Sequence, residues 1–143
     1  MDRLVLIIFA FSLFIISGCG YAGSNLDTPP TASAAKSTVN EISAGDALPK
    51  IQAAYSQFVD VRTAEEYAGG HAVRAISIPL ESLTANLDRI ERGEPVYLIC
   101  DTGDRSHKAG KILTDAGYKW VFVVTGGTAA WQQAGLPMEM TKR

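Results

Sequence analysis

From about Val39 onward, short apolar runs alternate with amphipathic stretches and turn residues, the rhythm of a parallel α/β sheet. Phe58-Val59-Asp60-Val61, Val96-Tyr97-Leu98-Ile99 and Val121-Phe122-Val123-Val124 read as buried strands, and Ile76-Ser77-Ile78 as a shorter extended piece stopped by Pro79. Between them, Ser43 is placed to cap a helix through about Lys50, and Thr63-Ala64-Glu65-Glu66 has the form of an N-cap with acidic residues in the first turn. Leu83, Leu87 and Ile90 recur at helical spacing and predict a helix over 82–90. Another helix is predicted from about Ser106 to Ala116, with Gly117 at its C′ position, and a last one around Ala129, Ala130 and Trp131 follows Gly126-Gly127. Short strands with interleaved helices predict an α/β three-layer sandwich: a central, mostly parallel five-stranded sheet with helices on both faces.

The pattern before Val39 is different. Asp2-Arg3 forms a short n-region and Leu4 to Ile16 an almost unbroken apolar run, so residues 1–18 read as a secretory signal. The run is too short to span a bilayer comfortably, which takes about 20 apolar residues. Residues 19–38 are rich in Gly, Ser, Asn, Thr, Ala and Pro and cannot bury enough apolar surface to order themselves; a flexible tether is expected. Residues 39–143 remain as one folded domain of about 105 residues, enough for a core without disulfides.

Ile16-Ser17-Gly18-Cys19 resembles the bacterial lipobox, in which small residues precede a cysteine that is lipidated on sulfur and becomes the new N-terminus. The resemblance implies a membrane anchor at Cys19 facing the periplasm or exterior, in the outer membrane where two membranes are present. Acyl chains contribute about 0.8 kcal/mol per buried CH₂ to such an attachment. Net charge is −2 and stays there when Asp2 and Arg3 are removed with the signal, so neither nucleic acid nor an anionic lipid surface is an expected partner. A monomer is expected.

With Cys19 assigned to the anchor, the second of the two cysteines, Cys100, has no disulfide partner in the chain. It ends a predicted strand and opens the polar loop Asp101-Thr102-Gly103-Asp104-Arg105-Ser106 ahead of a predicted helix. A strand holds the sulfur in place, loop amides can curl around it, and a helix N-terminus favours thiolate over thiol. Cys100 is therefore the candidate nucleophile, rather than a small buried core residue.

Four segments in register, across about 100 residues, are similar to single-domain members of the rhodanese family of sulfurtransferases. They are Asp60-Val61-Arg62 with Glu65-Glu66-Tyr67; Gly70-His71 through Ala75-Ile76 to Ile78-Pro79; the Cys100–Ser106 loop; and Gly126-Gly127 with Trp131 ahead of Ala134-Gly135-Leu136-Pro137. Loop length separates this chemistry from its neighbours. Four residues lie between Cys100 and Arg105, whereas the tyrosine phosphatases place five there, making a loop wide enough for a tetrahedral phosphate.

The resemblance implies a rhodanese-like fold and a Cys100 persulfide that moves sulfur from thiosulfate or another persulfide to cyanide or a thiol, with no metal or organic cofactor. A protein sulfur carrier is a further expected partner. Residues 101–106 are the expected substrate loop, with Ser106 and Thr102 supporting the loop or the donor through hydroxyl hydrogen bonds, and Asp60 with Arg62 is the expected brace. A non-catalytic binding or redox-sensing module is the rival expectation. His71 is expected to make a structural hydrogen bond, His107 to face solvent, and Trp131 to pack in the core. Where family members often carry a basic residue, this chain has Asp101. Residues 100–108 hold two carboxylates against Arg105 and Lys108, a balance of zero with His107 neutral. A unit charge about 6 Å from the sulfur is worth roughly 0.7 to 3 kcal/mol, so thiosulfate is expected to be a poor donor.

Overall fold

The computed structural model describes residues 38–141; the signal, most of the tether and Cys19 lie outside the described residues. The elements in order are β1 (Val39–Ile42), α1 (Ala44–Gln52), β2 (Gln57–Asp60), α2 (Ala64–Ala68), β3 (His71–Ala72), β4 (Ile76–Ser77), a 3₁₀ segment (Leu80–Arg89), β5 (Val96–Ile99), α3 (Asp104–Asp115), β6 (Val121–Val124), α4 (Gly127–Gln133) and β7 (Met138–Glu139). Five strands form one parallel sheet in the order β1-β6-β5-β2-β4, and β3 pairs with β7 in a separate antiparallel ladder. The expected α/β sandwich with a five-stranded sheet is the architecture found.

Strand periodicity sorts the core into two layers. Along β5, Val96 and Leu98 join the cluster that contains Ala109 and Leu113 of α3, while Tyr97 and Ile99 join the cluster of Ala44, Ala47 and Ile51 of α1 and Trp131 of α4. Successive side chains of a strand point to opposite faces. Cys100 continues that alternation and falls in the α3 layer. The sulfur is thus delivered to the face on which the next helix starts.

Three elements depart from the sequence pattern. β1 had no distinct signal, because Val39-Asn40-Glu41-Ile42 is half polar; it holds the sheet edge by pairing with β6, and it packs against α3, where a Cβ at Gly110 would lie 2.9 Å from Val39. The helix expected over 82–90 is a 3₁₀ segment over Leu80–Arg89, kinked at Asn86. Side chains there compete for the backbone: Ser82 Oγ donates to the Pro79 carbonyl, Asn86 Nδ2 to that of Ser82, and Tyr118 Oη to those of Leu87 and Ile90. Helix α3 begins at Asp104, two residues before the expected start, and ends in a Schellman motif. Gly117, at φ +92°, donates to Thr114, and Tyr118 donates to Leu113.

Candidate active site

Cys100 is only 1% exposed, and its Sγ accepts a 3.0 Å hydrogen bond from the Gly103 amide. That turn needs φ +122° at Gly103, a conformation side chains rarely adopt. Gly103 is also the N-cap of α3 and has no side chain to cap with. The first-turn amides of Asp104, Arg105 and Ser106 therefore have neither a helical partner nor a side-chain cap. They are donors left for whatever sits on the sulfur.

The loop is held from outside by α4. Thr128 and Ala129 amides donate to the carbonyls of Cys100 and Asp101 at 2.7 and 3.3 Å. Such closeness requires glycine before them: a Cβ at Gly127, whose φ is +56°, would lie 2.3 Å from the Cys100 oxygen. Gly126 and Gly127 carry part of the family resemblance, and their physical roles differ: Gly127 allows this clamp, while a Cβ at Gly126, whose φ is +73°, would lie 2.7 Å from the Ala130 Cβ in the first turn of α4. Trp131, farther along α4, is buried with its ring 5.4 Å from Phe58 of β2, and its Nε1 donates to the Pro137 carbonyl.

Arg105 is not a free cation. Its guanidinium makes two 2.7 Å bonds to the carboxylate of Glu66 on α2. Glu66 also accepts from the Thr63 amide at 2.9 Å, completing a capping box. The Arg105 bonds, with the Thr63 amide, hold the Glu66 carboxyl down to about 2, and Glu66 in turn raises Arg105. Glu66 is a site residue the sequence reading missed. Its position announced a cap, and nothing in the spacing announces a partner 39 residues away.

The remaining candidates fall into three groups. Asp101, Thr102 and Asp104 are exposed on the loop, and their side chains make no hydrogen bond among the described residues. Ser106 Oγ is buried and, among the described residues, has no hydrogen-bond partner, so its donor is unspent in the first turn of α3. Asp60 and Arg62 form a buried pair that braces a different turn. Arg62 Nη2 donates to Asp60 Oδ2 at 2.7 Å and to the Gly70 carbonyl at 2.8 Å, and Asp60 Oδ1 accepts from the Arg62 amide at 3.0 Å. Their link to the Cys100 strand is through the backbone, where the Val61 amide donates to the Ile99 carbonyl at 2.9 Å.

Both histidines are hydrogen-bonded. His71 is buried, stacks on Tyr67 with ring centroids 3.7 Å apart, and places Nδ1 2.9 Å from the Tyr67 carbonyl. His107 is half exposed but not loose. Its Nδ1 lies 2.9 Å from the Gly103 carbonyl and its Nε2 2.9 Å from Glu41 Oε1 on β1.

Comparison with known proteins agrees with this geometry. The family model described as a rhodanese-like domain matches residues 43–134. The thiosulfate sulfurtransferase GlpE of Actinobacillus pleuropneumoniae serotype 3 (strain JL03) is 33% identical over 102 residues, covering 71% of this chain and 94% of that protein. Among solved structures, a rhodanese-like domain protein from Staphylococcus aureus is 32% identical with a TM-score of 0.63, covering 72% of this chain and 99% of that one. A rhodanese-related protein from Thermoplasma volcanium is 30% identical, also at 0.63, over 70% of this chain and 97% of that one. Motifs, sheet order and matched span converge: the chain belongs to the rhodanese family.

Proposed function

We propose that this protein is a sulfurtransferase whose sulfur carrier is Cys100. In the first step the Cys100 thiolate attacks the outer sulfur of a donor; the donor's S–S bond breaks and its electron pair leaves with sulfite or a thiolate. In the second, a thiolate or cyanide attacks the outer sulfur of the Cys100 persulfide, and the Cys100 thiolate is regenerated. The observation that carries this reading is the Gly103 amide 3.0 Å from Sγ in a loop whose next amides are unspent. Amides ringing a sulfur stabilise the anionic charge that both steps develop there. The thiosulfate sulfurtransferase among the relatives supports the same chemistry.

The donor follows from the charges. Arg105 is matched by Glu66, and the exposed carboxylates of Asp101 and Asp104 flank the approach. A dianion such as thiosulfate meets repulsion there, whereas a neutral or protein-borne persulfide does not. Lipidation at Cys19, in this proposal, places the domain on a tether outside the cytoplasm, where a thiol-bearing partner accepts the sulfur.

Intact-protein mass spectrometry after incubation with candidate donors tests the reading. An adduct of one sulfur atom on Cys100, removed by cyanide and absent from Cys100→Ser, is the expected result. No adduct with any donor overturns it in favour of a non-catalytic module. Cys19→Ser is expected to move the protein from the membrane fraction to the soluble one.

A further inference from the structure

Two acceptors grip the ring of His107. One is the Gly103 carbonyl at Nδ1 and the other the Glu41 carboxylate at Nε2, each at 2.9 Å. A carbonyl oxygen only accepts, and so does an ionised carboxylate. The two bonds exist together only when both ring nitrogens carry hydrogen, which is the imidazolium. Neutral histidine satisfies one acceptor and turns a lone pair on the other. The surroundings push the same way, the Gly103 carbonyl first and Glu41 next, and raise His107 above its ordinary value.

Gly103 is the residue through which this matters. Its N–H donates to Cys100 Sγ, and its carbonyl accepts from both the His107 amide at 3.0 Å and the His107 ring. Glycine at φ +122° has no side chain to hold its orientation, so the ring supplies the restraint. The peptide bonds are trans, so the N–H of Asp104 points opposite to that carbonyl, out of the helix toward the loop. A cation pulling on the carbonyl polarises the same peptide and strengthens its N–H as a donor.

We propose that His107 is a cationic positioning residue for Cys100: clamped between Glu41 and Gly103, its imidazolium fixes the peptides that face the sulfur and favours the thiolate. The inference rests on Cys100 being the reactive thiol, not on its carrying sulfur. Charged groups on the elements that carry or contact His107 are Glu41 on β1, Asp101 in the loop, and Asp104, Arg105, Lys108, Lys111 and Asp115 on α3, with Arg105 bonded to Glu66 and Lys111 to Asp115, each at 2.7 Å. β5 and β6 carry no charged side chain, and the 3₁₀ segment packed on α3 carries Glu81, Asp88 and Arg89. Because the imidazolium is favoured by folding, it is present at low pH and lost as pH rises through a value above 6.5.

The test is the rate of Cys100 alkylation by iodoacetamide against pH, read on the Cys100 peptide of the whole mature chain, alongside imidazole ¹⁵N shifts. The chain has only two histidines, so the imidazole signals lost in His107→Gln identify those of His107. The native protein is expected to show an inflection in alkylation coincident with the His107 titration. His107→Gln is expected to remove it and slow alkylation at pH 6 about threefold or more. Glu41→Gln, outside the loop, is expected to move both inflections to lower pH together, with thermal stability retained. A His107→Gln profile that superimposes on the native one overturns the proposal, as does a shifted imidazole titration that leaves alkylation unmoved. A His107-dependent profile without sulfur uptake from any donor would sink the sulfurtransferase reading and leave this one standing; uptake with an unresponsive profile does the reverse.

Discussion

Two arginine–carboxylate pairs in this molecule use the same contact for different ends. Arg62 and Asp60 are two residues apart, Asp60 is fully buried, and the pair's spare bonding capacity is spent on the Arg62 amide and the Gly70 carbonyl. Arg105 and Glu66 are 39 residues apart, with side chains 28% and 37% exposed, at the edge of the Cys100 loop. The first is a closed unit: the Asp60 side chain has no exposed surface and that of Arg62 only 9%. The second is open to solvent, so it adds little to stability but fixes the charge at the edge of the Cys100 loop.

Removing one partner of the buried pair should give the largest effect. Asp60→Ala leaves a guanidinium buried without its counter-charge, and a loss of about 3 to 5 kcal/mol is expected in urea denaturation. A loss as small as that of an exposed pair would break the contrast. Glu66→Gln retains a capping side chain and is expected to cost about 1 kcal/mol or less. Its larger consequence is functional: with the Arg105 charge released, KM for thiosulfate should fall about threefold or more. An unchanged KM would mean the open pair is structural after all.

Asp101→Asn sharpens the same point from the loop side, with stability unchanged, KM for thiosulfate lowered about threefold, and KM for a neutral persulfide unmoved. Thiosulfate turnover that ignores this substitution removes the charge argument. The smallest effect is in acid. Glu66 is held at about 2 against an ordinary 4.5, so its contribution is complete above that ordinary value and fades as pH falls toward 2. Stability of the native protein and of Glu66→Gln, compared by chemical denaturation, should therefore converge over that window.

What the sequence revealed and what it hid follow one line. Continuous apolar strands, the Thr63 cap and the Gly117 terminus were legible because each rests on neighbours in the chain. β1 was not, since a half-polar edge strand becomes a strand by pairing with β6, 82 residues on at Val39 and Val121. The 3₁₀ segment was hidden by side-chain bonds that periodicity ignores. In the site, Cys100 and its loop were readable from a strand running into glycine and a helix. The partners that set its charge, Glu66 and Glu41, come from distant elements, and exposure alone was expected of His107 where the fold supplies two acceptors.

The α4 clamp on the Cys100 and Asp101 carbonyls has a consequence for how this chain can change over generations. Loop shape is fixed by backbone atoms, by Gly103 within the loop and by Gly127 outside it, while the side chains of Asp101, Thr102 and Asp104 make no hydrogen bond among the described residues. Those three positions are free to drift without loosening the frame. For a sulfurtransferase, as proposed, single substitutions there would retune which donor is accepted while the sulfur stays put, so new substrate preferences would be mutationally cheap. Gly103 and Gly127, by contrast, cannot drift, and they are what makes the freedom of the loop possible.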